Sequence, residues 1–231
     1  MTIENSNIKQ LYLNNIAALN AFRDCYHEYV LHGPLLLNID KYFTQKIKLM
    51  VVGQETYGWS TSGDVETLLA VYERFNFGAS YVSSPFWSVI RKIERSLEVE
   101  PYAIAWSNLN RFDVNTGSPD RTVLAKPIAT IDYLLKAEID ILTPDVCILF
   151  TNHKYDKRLE ALYDGVHFEN IEGLPNKHFA SLHHPDLPKH TIRAPHPRTI
   201  KMMKWEDAFI KEIRDINQLI TDSKSLYQRN T

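Results

Sequence analysis

Lys46-Ile-Lys-Leu-Met-Val-Val-Gly-Gln-Glu-Thr-Tyr-Gly-Trp59 is the stretch from which the rest of the chain is read. Ile47 to Val52 is a short apolar run with β-branched residues, the pattern of a strand buried on both faces. At Gly53 the character changes at once. Glycine permits a sharp turn and close backbone approach, and Gln54, Glu55 and Tyr57 follow as polar groups. In open parallel α/β sheets, ligands bind at the carboxyl ends of the strands.

Outward from this stretch the same pattern recurs. Ala103-Ile-Ala-Trp-Ser107 reads as a second strand running into Asn108-Leu-Asn110, and Asp145-Val-Cys-Ile-Leu-Phe150 as a third ending at Thr151-Asn152-His153. Thr191-Ile-Arg-Ala194 reads as a fourth, entering His196-Pro197-Arg198, with Val166 to Ile171 and Phe179 to Leu182 as further possible strands. Helical spacing of Leu11, Ile16, Leu19, Phe22, Tyr26 and Val30 predicts a helix over residues 8–31, ended by His32-Gly33-Pro34. Asp64 to Tyr72 looks helical, and Arg74 to Tyr81 reads as loop. Ser84-Pro85 starts a helix with the apolar stripe Phe86, Val89, Ile90, Ile93 and Leu97. Residues 114–123 read as surface loop, a helix starts near Pro127, a short one surrounds Leu159 and Leu162, and a last one carries Trp205, Phe209, Ile213, Ile216 and Ile220.

Strands separated by helices imply right-handed crossovers and parallel pairing. The expected fold is a three-layer α/β/α sandwich around a central, mainly parallel four-stranded sheet, one domain over residues 1–231. Four polar clusters then share one edge of the sheet and describe a cleft.

The chain has 231 residues, 44% of them hydrophobic, enough for a proper core. With 26 Lys and Arg against 28 Asp and Glu, the net charge of −2 makes no global case for a polyanionic partner. The two cysteines, Cys25 and Cys147, form no CxxC pair, which excludes a four-cysteine metal site within one chain and suggests a reducing compartment. A polar N-terminus without a signal-peptide core, and the lack of any membrane-length apolar run, lead to the expectation of a soluble cytoplasmic protein.

Taken together, these motifs resemble the uracil-DNA glycosylase superfamily, most nearly its family-one enzymes. Where those carry Gly-Gln-Asp-Pro-Tyr-His, this chain has Gly53-Gln54-Glu55-Thr56-Tyr57-Gly58. Their Pro-Pro-Ser-Leu-x-Asn-Ile helix start is similar to Ser84-Pro85-Phe-Trp-Ser-Val-Ile90, and their Leu-Leu-Leu-Asn to Ala105-Trp-Ser-Asn108. Their third strand resembles Val146-Cys-Ile-Leu-Phe150, and Ala194-Pro195-His196-Pro197 matches the last motif before diverging at Arg198-Thr199-Ile200. Glu55 in place of Asp, Thr56 in place of Pro and Gly58 in place of His mark a divergent branch.

The resemblance implies an enzyme that excises uracil or a related damaged base from DNA. N-glycosidic cleavage needs the base held outside the helix, charge stabilised on the departing base and a water placed against the sugar. By the same resemblance Glu55 and His196 are the catalytic pair, Glu55 placing water or offsetting sugar charge and His196 stabilising the leaving anion. Gly53, Gln54, Tyr57, Phe77 (or Phe75) and Asn108 would bind the base, with Asn108 reading its edge and Tyr57 walling out a 5-methyl group. Ser84, Pro197, Arg198, Ile200 and Lys201 would meet DNA, Ile200 either as a wedge in the vacated stack or as the start of the last helix's core face. His184-Pro185 lacks the Ala-Pro context of His196. The histidines from His153 to His196 match no zinc spacing. The expected partner is uracil-containing or damaged DNA, with no cofactor, metal or membrane, and the chain is expected to act as a monomer. From Leu187 to Lys204 there are Lys189, Arg193, Arg198, Lys201 and Lys204 and no acid, a basic edge for a phosphate backbone. A non-catalytic nucleic-acid-binding relative and an enzyme acting on free nucleosides or nucleotides remain as rival readings.

Overall fold

Leu49, Met50, Val51, Val52 and Gly53 are all buried and form a central strand in the computed structural model, which describes residues 3–80, 84–119, 126 and 128–229. In chain order the elements are α1 (Ile3–Cys25), β1 (Leu31–His32), β2 (Leu49–Gly53), α2 (Val65–Phe75), α3 (Pro85–Ser96), β3 (Ala105–Asn108) and β4 (Asp113–Val114). Then come α4 (Ala129–Leu142), β5 (Val146–Leu149), α5 (Asp156–Leu162), β6 (His167–Glu169), β7 (Ala180–His183), β8 (His190–Arg193), α6 (Pro197–Met202) and α7 (Glu206–Arg229).

The protein is an α/β fold with a six-stranded mixed sheet, in the order β3-β2-β5-β8-β7-β6, flanked by helices. The first four of these strands are parallel. Val51 lies opposite Trp106 on one side and Ile148 on the other, and Ile148 lies opposite Ile192. Ile104, expected in the same row, is buried one residue before β3 begins. The four-strand expectation is corrected to six. β6 and β7 extend the sheet as antiparallel strands, because connections without a helix can join only antiparallel neighbours.

Successive residues of β3 show how the sheet is covered. Trp106 packs edge-on against Trp87 of α3 at 5.1 Å, while the Ser107 hydroxyl donates to Glu138 of α4 at 2.7 Å. Glu138, fully buried, also accepts from the Tyr12 hydroxyl and takes a two-pronged ion pair from Arg111. This buried network ties α1, α4 and the end of β3 together.

α1 ends at Cys25, short of the expected 31. Leu31 and His32 instead pair with Val114 and Asp113 in a separate two-stranded sheet, so Val114 is buried strand and not surface loop. A Cβ at Gly33 would lie 2.2 Å from the Arg111 carbonyl oxygen, so that glycine serves close backbone approach and not a helix stop. α2 runs on to Phe75 where loop was expected. Ser84 is the N-cap of α3 with Pro85 at the first turn, as the sequence suggests. α4 starts at Ala129, close to the expected start near Pro127; Pro127 itself, Tyr81 and loop residues 120–123 lie outside the described residues. Among the described residues no helix is long and apolar enough to cross a membrane.

Candidate functional site

β2 and β3 run side by side to their carboxyl ends, where Gly53 pairs with Asn108. The pairing continues past the strands: Leu109 N–H donates to the Gly53 carbonyl at 3.0 Å and Asn110 N–H to the Gln54 carbonyl at 2.7 Å. A Cβ at Gly53 would stand 2.3 Å from the Asn108 side-chain amide, so only glycine lets that amide sit here. The surroundings assign the amide its orientation: nitrogen donates to the Ser107 carbonyl at 2.9 Å and oxygen accepts from Thr56 N–H at 3.2 Å. One N–H and one lone pair of this buried amide are left over from those bonds.

Glu55 follows directly. Its Oε2 accepts from the Asn110 amide at 2.9 Å, and the same NH2 donates to the Tyr155 hydroxyl at 2.9 Å. The Asn110 oxygen is taken by the guanidinium of Arg158, which pairs with Asp132. Because a guanidinium only donates, Arg158 fixes which end of the Asn110 amide faces Glu55. Asn110, Arg158 and Asp132 are all buried. The turn after Glu55 is anchored by Asp113, a fully buried carboxylate that accepts from Gly58 N–H at 2.7 Å and Thr116 N–H at 3.0 Å. His32 Nδ1 meets its other face at 2.8 Å.

His196 arrives from the segment after β8 as the N-cap of α6. Its Nδ1 accepts from Arg198 N–H at 3.1 Å, so a neutral ring carries its proton on Nε2. Burial pushes the imidazole pKa below its ordinary value, and Arg198 and Lys154 push the same way. The ring lies 5.6 Å from that of Phe86.

Glu55, Asn108 and His196 border one open cavity of about 330 Å³. Gly53, Gln54, Glu55, Thr56, Tyr57 and Asn108 line one part, Ser84 and His196 another, and Trp59, Phe75, Phe86, Trp87 and Trp106 form aromatic walls. No protein-family model matches the chain, and no curated protein matches it. What the site can do follows from its own groups: stack a flat ring, grip its edge with an amide, and set a carboxylate and a neutral imidazole donor beside it.

The cavity thus gathers Gly53, Gln54, Glu55, Tyr57, Ser84, Asn108 and His196 from the sequence-predicted set. Phe77 is not in its lining. It sits edge-on to Tyr72 at 5.4 Å with a left-handed backbone, and Phe75 takes the wall position. Tyr57 is 82% exposed, so it stands at the rim and does not close the pocket. Ile200 is fully buried in the core, since α6 turns it inward, which corrects the wedge reading. Pro197 is likewise buried and offers no surface to DNA. Arg198 is exposed beside His196, whereas the Lys201 ammonium is tied to the Ser88 hydroxyl at 2.7 Å. Among the described residues no group of three or more His, Cys, Asp or Glu side chains is arranged to hold a metal ion.

The sequence reading missed the supports of Glu55 and the tryptophan walls. Asn110 was visible as a strand-end polar group. Arg158 and Asp132 sit in helical stretches where charged residues ordinarily face solvent, and nothing local marks them.

Proposed function

We propose that this chain is a uracil-DNA glycosylase-like enzyme, with the three-layer α/β/α arrangement of that superfamily, hydrolysing the N-glycosidic bond of uracil or a related damaged base in DNA. One observation carries the reading: Glu55, Asn108 and His196, from three separate strand ends, line a single aromatic-walled cavity. A base turned out of the helix would stack on those walls, its edge read by the Asn108 amide through its remaining donor and acceptor. His196 Nε2–H would donate to the base oxygen as charge collects there, a contribution of ~3 kcal/mol. The Glu55 carboxylate, aimed by Asn110, would hold the water or offset positive charge on the sugar. The bond from the anomeric carbon to the base nitrogen breaks and its electron pair leaves with the base. Hydroxyl from water bonds to the anomeric carbon, and the remaining proton ends on the base.

The test is incubation with uracil-containing oligonucleotides, followed by alkaline cleavage at abasic sites. Excision is expected in the wild type, with ~100-fold loss or more in Glu55→Gln if electrostatics carries the step. His196→Ala should lower turnover more than substrate affinity. Excision undamaged by both substitutions means these residues do not carry it. Binding without any cleavage supports a non-catalytic relative instead.

A further inference from the structure

Thr56-Tyr57-Gly58 forms the rim turn of the cavity, directly after Glu55. Tyr57 is 82% exposed, so the backbone of the turn, and not side-chain packing, decides where its ring stands. The same backbone reaches into the site, because Thr56 N–H holds the Asn108 amide oxygen at 3.2 Å. What fixes the turn comes from outside the cavity.

The β1–β4 ribbon lies behind it. Leu31 pairs with Val114 and His32 with Asp113. Side chains alternate along a strand, so Leu31 and Val114 enter a small apolar cluster with Leu19 and Leu134, while His32 and Asp113 share the other face. The two oxygens of the buried Asp113 carboxylate meet different partners. Oδ1 accepts from His32 Nδ1 at 2.8 Å and from Thr116 N–H at 3.0 Å. Oδ2 accepts from Gly58 N–H at 2.7 Å, with the Thr56 hydroxyl at 3.4 Å. A carboxylate only accepts, so His32 Nδ1 carries the ring proton here. The carboxylate is one rigid plane, and holding Oδ1 therefore aims Oδ2 at the turn. The next residue adds a second tie: Gly33 N–H donates to the Ser60 carbonyl at 2.6 Å. His32 and Gly33 thus grip the segment at Gly58 and again at Ser60.

We propose that His32 is a positioning residue for the site. It does not line the cavity. It acts through Asp113 on the turn, and through Thr56 N–H on the orientation of the Asn108 amide. The consequence for catalysis rests on the base-excision reading, whereas the ordering of the turn rests on the hydrogen bonds alone.

The experiment compares the full chain with His32→Ala and His32→Asn. An asparagine amide can place its NH2 where Nδ1 stands and keep the bond to Asp113, and alanine removes it. Amide hydrogen exchange is followed by NMR at Thr56, Gly58 and Thr116, with the amides of β2 and β5 as the reference for global opening. His32→Ala is expected to speed exchange at the three turn amides ~10-fold, about the worth of one hydrogen bond, and to leave β2 and β5 unchanged. His32→Asn should restore the wild-type rates. On a uracil-containing oligonucleotide, His32→Ala should lower turnover ~10-fold or more with KM altered no more than ~2-fold, and His32→Asn should recover it, since displaced groups are felt most in the transition state. Unchanged exchange at the turn, faster exchange throughout β2 and β5, or a loss of turnover that asparagine does not recover overturns the proposal. Faster exchange confined to the turn, with no oligonucleotide cleaved by the wild type, sinks the excision reading and leaves His32 as the residue that orders the turn. Cleavage undiminished in His32→Ala, with exchange unaltered, does the reverse.

Discussion

Glu55 is one residue with a chain of three others behind it, and its chemistry depends on them. Arg158 holds the Asn110 oxygen, so the Asn110 NH2 faces Glu55 Oε2 at 2.9 Å, with Asp132 fixing Arg158 in turn. Asn110→Asp would keep a partner for Arg158 and set a second carboxylate beside Glu55. Like charge disfavours ionisation, so the acid limb of the pH–rate profile should move to higher pH than in the wild type. His196 should contribute no step at the ordinary imidazole value. Its pKa is held below 6.5 by burial first, then by Arg198 and Lys154. Any loss of turnover from its protonation should therefore be centred below pH 6.5, while stability should decline on its account as pH falls below 6.5. The unfolded chain takes up the proton there and the folded chain resists it. A wild-type rate loss centred at 6.5 that disappears in His196→Gln would contradict this. At this scale the polar half of the site was readable, because Gln54, Glu55, Asn108 and His196 each follow an apolar run. Of the aromatic half only Phe75 was named, as the alternative to Phe77. Trp59, Phe86, Trp87 and Trp106 are scattered through the chain, and a large aromatic reads as core until the elements that carry it converge.

Elements explain why the convergence is so tight. The carboxyl ends of β2 and β3 approach so closely that Asn108 occupies the space of a Gly53 side chain. The Asn108 amide cannot swing aside, since it bonds to the Ser107 carbonyl and to Thr56 N–H. Gly53→Ala should consequently cost ~1–3 kcal/mol as overpacking and abolish base binding together with it. Urea denaturation and calorimetry check both halves; an alanine variant of unchanged midpoint that still binds would mean the approach is slack. The buried parallel strands were legible because their β-branched runs have no other reading, and Val51, Ile148 and Ile192 do share a row. β1 and β4 were not legible, since two-residue strands are too short to carry a period. Ile200 shows the same limit from the other side. Its spacing from His196 suited both readings, and only the direction of the short helix α6 turns it into the core.

Across the whole molecule the question is where charge lies, since a net −2 says nothing about it. The basic run from Lys189 to Lys204 does not stay together when folded. Lys189 precedes β8 and lines a hollow with Asp145 and Lys224 at the amino end of the strands, away from His196. Arg193 is buried, ion-paired with Asp156 and donating to the Lys177 carbonyl. Arg198 stands beside His196 at the start of α6, and Lys201, partly engaged by Ser88, and Lys204 follow on or after that helix. Lys154 joins them, close enough to act on the His196 ring. A phosphate backbone that delivers a base to the cavity should therefore follow Arg198, Lys204 and Lys154. Each phosphate contact neutralised releases counterions and adds ~0.9 to the slope of log affinity against log salt on duplex, or ~0.7 on a single strand. The triple substitution Lys154→Ala, Arg198→Ala and Lys204→Ala should lower that slope by ~2 to 3 and weaken binding more at low salt than at high. Lys189→Ala with Lys224→Ala removes as much positive charge per residue from the far end of the sheet and should leave the slope unchanged. Fluorescence anisotropy of a labelled oligonucleotide over a salt series measures all three proteins. Equal slopes for the wild type and the triple variant, or an equal loss from the far-end pair, would mean that DNA does not run past His196.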